Sequence, residues 1–248
     1  MNKLALFAAL MSIASAASPA TAASHSFASD TQRTTLIELY TSEGCSSCPP
    51  AERWLSGLKD DLRLWKQFVP VAFHVDYWDY LGWRDRFSDA RFSRRQGDYE
   101  QHGYLQTVYT PGVMKNGREW RGWYRAGIPS PAGADQVGVL KASLAGGKLN
   151  VEFVPHRHYG TPLLLNLALL GFDLSTPVAA GENSGKLLKH DFTVMDFRQI
   201  KQTAGNDGFR WEMDMPPVRA SQGTAGLALW VTVPGDPTSI QATGEWLK

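Results

Sequence analysis

Apolar and polar positions divide the chain into two unlike halves. Leu36-Ile37-Glu38-Leu39-Tyr40 reads as a strand and stops at the polar segment Thr41-Ser42-Glu43-Gly44. Ala51, Trp54, Leu55 and Leu58 then recur at helical spacing. Pro49 and Pro50 fit only the first turn of that helix, where backbone N–H groups have no intrahelical partner. The helix therefore begins at or beside Cys45 and Cys48. Residues 69–75 (VPVAFHV) form a second predicted strand, and Asp85 or Ser88 can cap a helix reaching about His102. Val113-Met114-Lys115 is a third extended run, turned by the hairpin dipeptide Asn116-Gly117 and returning through Glu119-Trp120-Arg121. Residues 134–144 read as a helix that closes at Gly146-Gly147. The predicted order is β-α-β-α-β-β-α.

From Lys148 onward the pattern changes. Residues 151–154, 163–171, 187–195, 209–213 and 227–233 are strand-like, separated by Gly, Pro, Asp and Asn turns. The expectation is an α/β domain over residues 23–147, followed by a smaller β-rich, sandwich-like domain over residues 148–248. One continuous sheet through both halves is the other arrangement this pattern permits.

The beginning of the chain alters the context. Lys3, a short apolar run over residues 4–13 and the small-x-small triplet Ala20-Thr21-Ala22 predict a signal peptide over residues 1–22. The expected location is periplasmic or secreted, as for a bacterial export signal. The run is shorter than the roughly 20 residues a permanent span needs, and no later stretch suffices, so no membrane span is expected. Lys+Arg 25 against Asp+Glu 24 leaves a net charge of +1, with no run of like charges to suggest nucleic acid or an anionic surface as partner. Export also sets the redox environment, in which disulfides persist. Only two cysteines exist, so within the chain they can bond only to each other.

Cys45 and Cys48 carry the candidate chemistry. As a structural staple the pair would close a very small ring, worth roughly 2 kcal/mol at best. A four-thiolate zinc site would need a second pair. For thiol–disulfide exchange the placement suits, because a helix N-terminus lowers a thiol pKa. Cys45 is then the exposed attacking sulfur and Cys48 the buried resolving one. A Cys-x-x-Cys between strand and helix matches the thioredoxin-like arrangement. There a cis-proline facing the sulfurs belongs at Thr110-Pro111, and the residue before it offers backbone groups to an incoming peptide. Glu38 has two readings, a proton relay to the buried sulfur or a solvent-facing residue on a partly exposed strand. Glu43, if ionised nearby, opposes thiolate formation.

The run from Ile37 to Ala51, IELYTSEGCSSCPPA, together with FHVDYWDYLGW from Phe73 to Trp83 and Val108-Tyr109-Thr110-Pro111, resembles a known family. This is the bacterial secreted thioredoxin-like family catalogued as domain of unknown function 1223. Gly181-Glu182-Asn183-Ser184-Gly185 and His190 extend the resemblance into the second half. It implies a thioredoxin-like fold with a β-rich appendage and a redox role without an established substrate. The Gly44-Cys45-Ser46-Ser47-Cys48 motif differs from thioredoxin's Trp-Cys-Gly-Pro-Cys, and thioredoxin's buried Asp falls on Leu39, so only Glu38 can take that role.

The resulting expectation is a thiol–disulfide oxidoreductase-like protein with a redox-active disulfide and no bound cofactor, acting on an exported protein or small thiol. Cys45, Cys48, Pro111 and Glu38 form its catalytic set. Thr110, Tyr77 and Trp78 are the candidate lining of the substrate approach. The four aromatics Tyr77, Trp78, Tyr80 and Trp83 could form a wall there, but packing between the two domains is the preferred reading of all four. The first alternative is a copper(I) module using Cys45, Cys48 and His74. The second is a binding protein with a vestigial dithiol. His74 and Asp76 share a strand face and read as a structural pair. His156 and His158 read as a surface turn. Residues 181–186 lack the spacing and the strand–helix context of a phosphate loop.

Overall fold

The computed structural model describes residues 25–125, 135–205, 207–218 and 224–247, so the predicted signal peptide lies outside the described residues. The chain runs β1 (His25–Ala28), β2 (Thr35–Thr41), α1 (Pro49–Ser56), β3 (Phe68–His74), α2 (Ala90–Gln101), β4 (Gly112–Lys115) and β5 (Arg118–Glu119). It continues with β6 (Gly138–Ala145), β7 (Lys148–Pro155), β8 (Leu163–Gly171), β9 (Leu174–Pro177), β10 (Leu187–His190), β11 (Thr193–Gln202), β12 (Phe209–Asp214), β13 (Ala225–Thr232) and β14 (Gln241–Leu247).

These elements correct the expected fold class, an α/β thioredoxin-like domain followed by a separate sandwich-like one. Strands predominate, and the described residues contain only two α-helices. One eight-stranded mixed sheet, ordered β14-β13-β8-β11-β3-β2-β4-β5, draws on both halves of the chain. The join is parallel: Thr193 of β11 pairs with Ala72 of β3, and the Ala72 N–H donates to the Phe192 carbonyl at 2.8 Å. A four-stranded sheet, β1-β6-β7-β12, and a two-stranded one, β10-β9, complete the molecule.

The third helix expected over residues 134–144 is a strand. In β6 the buried positions Gly138, Leu140 and Ala142 alternate with more exposed ones, which is the period of a strand. Gly146 and Gly147 both have positive φ, 57° and 76°, and make the tight turn that pairs Ala145 with Lys148. The expected boundary between residues 147 and 148 falls within this turn. The single strand expected over residues 187–195 is two, β10 and β11, because Phe192 adopts a left-handed φ of 56°. The cap of α2 is Asp89, whose carboxylate accepts the Arg91 N–H, in place of Asp85 or Ser88.

The large sheet is apolar on both faces because a core lies on each. Ala168 and Leu170 of β8, with Ala228 and Trp230 of β13, join a core that includes Phe73, Phe92 and Tyr99. Leu163, Leu165 and Leu167, with Leu227, Leu229 and Val231, join a second core completed by β6, β7 and β12. Strands covered on both faces read as continuous apolar runs, as LLLNLALLG does.

Candidate functional site

The site begins where β2 leaves the sheet. The Cys45 N–H donates to the Ser42 carbonyl and the Cys48 N–H to the Cys45 carbonyl, each at 3.2 Å, folding the segment into successive turns. Cys45 and Cys48 are joined by a disulfide with Cα atoms 5.4 Å apart. Cys45 was expected to be exposed, yet both cysteines are fully buried and only Ser46 and Ser47 between them reach solvent. The Ser47 hydroxyl lies 3.4 Å from Cys45 Sγ. Cys48 occupies the N-cap of α1. Pro49 and Pro50 have no N–H to offer, and the N–H groups of Ala51 and Glu52 both donate to the Cys48 carbonyl. The first turn therefore has no free N–H donor from Ala51 or Glu52 to offer a sulfur, which leaves the helix dipole as its means of favouring a thiolate there.

Two sets of side chains cover the disulfide loop. Residues 181–186 link β9 to β10 and close over one side. Asn183 Nδ2 donates to the carbonyls of Glu43 and Cys45, each at 2.9 Å. Glu182 accepts the Ser46 N–H at 3.0 Å, and Lys186 Nζ holds Asn183 Oδ1 at 2.9 Å. On the other side a Cβ at Gly44 would come within 3.2 Å of Trp78 Cβ, so glycine permits this close approach. Trp78 Nε1 donates to Thr110 Oγ1 at 2.8 Å, and the Thr110-Pro111 peptide bond is cis. Tyr77 donates to Gln96 Oε1 at 3.0 Å, and Gln96 in turn donates to the Tyr109 carbonyl at 2.7 Å. Contacts thus connect Cys45 through Gly44 and Trp78 to Thr110. Tyr77 reaches the same segment through Gln96. Tyr80 is exposed.

Glu38 lies elsewhere. It is buried and ion-paired to Arg95 of α2, with Tyr99 and Tyr40 donating to its second oxygen. None of these bonds runs to a sulfur. It is neither solvent-facing nor joined to the cysteines. Burial pushes the Tyr40 and Tyr99 hydroxyls well above their ordinary range, with the Glu38 charge adding to the effect.

Directly below the disulfide loop is a buried cluster of acids and imidazoles. Glu43 precedes Cys45, Glu52 lies in the first turn of α1, His74 ends β3, His190 ends β10, and Asp85 follows the 3₁₀ turn Asp79–Leu81. All five are buried. His190 Nδ1 lies 2.7 Å from Glu52 Oε2, and its Nε2 lies 3.2 Å from Glu43 Oε1 without the alignment of a hydrogen bond. His74 Nδ1 lies 2.6 Å from Asp85 Oδ2. The two imidazoles meet edge-on with centroids 5.2 Å apart. Burial would lower the His190 pKa, but Glu43 and Glu52 outweigh it and raise the value to about 9. Burial would raise Glu52, but His190 and Thr41 hold it below the ordinary range. Trp83 Nε1 donates to Glu43 Oε2 at 2.8 Å and Thr41 Oγ1 to Glu52 Oε1 at 2.6 Å, fixing both carboxylates.

Residues 36–232 match the family described as Protein of unknown function (DUF1223). The chain belongs to the DUF1223 family. This DUF1223 protein also resembles a crystal structure of an Agrobacterium tumefaciens protein, at 23% identity and a TM-score of 0.59 over 85% of this chain and 92% of that one. It resembles HBP35 of Porphyromonas gingivalis at 15% identity and a TM-score of 0.54, over 87% and 76% of the two chains. At these identities the likeness concerns the fold alone. No curated protein matches the sequence. Among the described residues of this DUF1223 chain, no helix is long and apolar enough to cross a membrane.

Sequence reasoning singled out Cys45, Cys48, Trp78, Thr110, Pro111 and His74. It missed Glu52, gave Asp85 a capping role, and met Asn183, Glu182 and His190 only through the family resemblance. Those last residues lie more than 130 positions from the cysteines, so no local spacing connects them. His156 and His158 occupy an exposed turn, and residues 181–186 cover the disulfide loop of this DUF1223 protein with no helix following.

Proposed function

We propose that this protein, exported by its N-terminal signal, carries out thiol–disulfide exchange at Cys45 and Cys48. The observation carrying this reading is the bonded pair at the start of α1, beneath exposed Ser46 and Ser47 and beside Trp78 and Thr110. The pair closes too small a ring to stabilise the fold by chain entropy as a longer cross-link would. In the reduced protein, the Cys45 thiolate attacks one sulfur of a substrate disulfide. A Cys45–substrate bond forms and the other substrate sulfur leaves as a thiolate. Cys48, deprotonated, then attacks Cys45 Sγ, restores the intramolecular disulfide and releases the second substrate thiolate, which takes up a proton. The Ser47 hydroxyl, 3.4 Å from Cys45 Sγ, can donate to the Cys45 thiolate. Substrates that reach Cys45 are the disulfide of an exported protein or the disulfide form of a small thiol, entering once residues 181–186 or Trp78 give way.

The test uses the Cys48→Ser and Cys45→Ser variants with oxidised glutathione and with an extract of exported proteins. Cys48→Ser is expected to accumulate mixed disulfides detectable by intact mass, and Cys45→Ser is not. If neither variant forms an adduct and the wild-type pair has a reduction potential below about −300 mV, the disulfide is structural and the reading fails.

A further inference from the structure

The buried cluster beneath the disulfide has properties that the exchange reaction does not use. We propose that Glu52, His74 and His190 form a binding site for one divalent transition-metal ion of the zinc type. One ligand atom from each of the three residues lies within 4.8 Å of the others. Two imidazoles and one carboxylate are a donor set that suits zinc. Because all three donors are buried, a bound ion would be enclosed by protein.

His74 is set up as a ligand. An ionised carboxylate only accepts hydrogen bonds, and Asp85 Oδ2 also accepts the Glu43 N–H at 2.8 Å. The 2.6 Å contact therefore places the proton on His74 Nδ1. This leaves Nε2, buried and without a hydrogen-bond partner, as the donor. A carboxylate on the far nitrogen is the arrangement that orients metal-bound histidines. His190 repeats it. Its Nδ1 already faces Glu52 Oε2 at 2.7 Å, while Glu43 Oε1, which makes no hydrogen bond, lies 3.2 Å from Nε2 on the opposite side. Each ligand imidazole thus has an outer carboxylate beside it, Asp85 hydrogen-bonded to His74 and Glu43 in ion-pair contact with His190.

Charge points the same way. Glu43, Glu52 and Asp85 are three buried carboxylates, and among the described residues their only ion-pair partners are His74 and His190. No lysine or arginine reaches them in an ion pair there. Buried anions need compensation, and a dication supplies it while leaving both imidazoles neutral. The site uses neither sulfur, so it is independent of the exchange chemistry and distinct from a copper(I) site built on Cys45, Cys48 and His74.

The test titrates the oxidised, disulfide-intact protein with zinc, stoichiometry being read by metal analysis after gel filtration and affinity by calorimetry. One equivalent is expected. Glu52→Gln should abolish stoichiometric binding, and Asp85→Asn should weaken it by ~10–100-fold, the range seen for outer carboxylates. Near-ultraviolet circular dichroism identifies any variant that fails to fold, and cobalt(II) added to the wild-type protein gives an independent readout. Visible bands of a four- or five-coordinate ion, without thiolate-to-metal charge transfer, are expected with the disulfide intact and in the Cys45→Ser/Cys48→Ser variant. The proposal is overturned if the oxidised wild-type protein binds no zinc or cobalt. It is equally overturned if folded Glu52→Gln binds as tightly as wild type, or if binding appears only after reduction and carries the thiolate band.

Discussion

Asn183 holds the disulfide loop from 138 residues away, donating to the carbonyls of Glu43 and Cys45. Each such bond contributes about 1 kcal/mol, so losing two lowers the cost of exposing Cys45 by about 2 kcal/mol. Asn183→Ala is accordingly expected to speed reduction of the disulfide by dithiothreitol about tenfold or more, read by rapid mixing and thiol trapping. An unchanged rate would mean that residues 181–186 do not control access. Glu38 belongs to a different kind of interaction. Its carboxylate and the Arg95 guanidinium are both buried, and Arg95 also donates to the Pro237 carbonyl at 3.3 Å. Removing one partner of such a pair leaves an uncompensated charge, at a cost of about 3–5 kcal/mol. Glu38→Gln is expected to lose stability of that order in urea unfolding, since the amide keeps the shape but not the charge.

Among the elements, α2 shows how a local signal was misassigned by a few positions. Asp85 and Ser88 are plausible caps by residue type, but Asp85 is committed to His74 and to the backbone of Glu43 and Phe87. Asp89, with extended φ and ψ, caps the helix through the Arg91 N–H at 2.8 Å. Asp89→Ala is expected to cost about 1 kcal/mol at neutral pH. The Arg91 side chain above all holds the Asp89 carboxyl below its ordinary range. A depressed folded-state pKa stabilises the protein above the unfolded value, near 3.9, and that contribution disappears as pH falls through the folded value. The gap between wild type and Asp89→Ala should therefore narrow below about pH 4, as chemical denaturation at several pH values would reveal. The strand β6 illustrates the opposite difficulty. VLKASLA has enough Leu and Ala to suit a helix, and only pairing with β1 and β7 makes its alternation decisive.

At the scale of the whole molecule, Gln241 ties the sheets together. Its Nε2 lies 2.8–3.0 Å from the carbonyls of Asp30, Gln32 and Gly138, while Oε1 accepts the N–H groups of Thr34 and Ala242. These partners span the N-terminal segment, β6 of the four-stranded sheet and β14 at the edge of the eight-stranded one. Replacing Gln241 with Leu would strand several buried backbone groups, each costing roughly 1–3 kcal/mol. A loss of stability of about 2 kcal/mol or more is expected by denaturant titration. A change under about 0.5 kcal/mol would show that water replaces these bonds.

By itself the sequence determined the elements that carry their own period or punctuation. These are β2 and β3, the helix opened by Pro49 and Pro50, the Asn116-Gly117 hairpin, the long apolar run of β8, and the cysteine pair with Thr110-Pro111 downstream. Each rests on neighbours in the chain, so spacing alone identifies it. Tertiary structure decided the rest. Only the pairing of β3 with β11 makes one sheet of the two halves, and only that sheet gives β8 and β13 a core on each face. The same long-range pairing carries His190 and Asn183 back to a loop that ends at Cys48. The buried acid–imidazole cluster exists because elements distant in sequence exclude water from a common space, and no periodicity records that event.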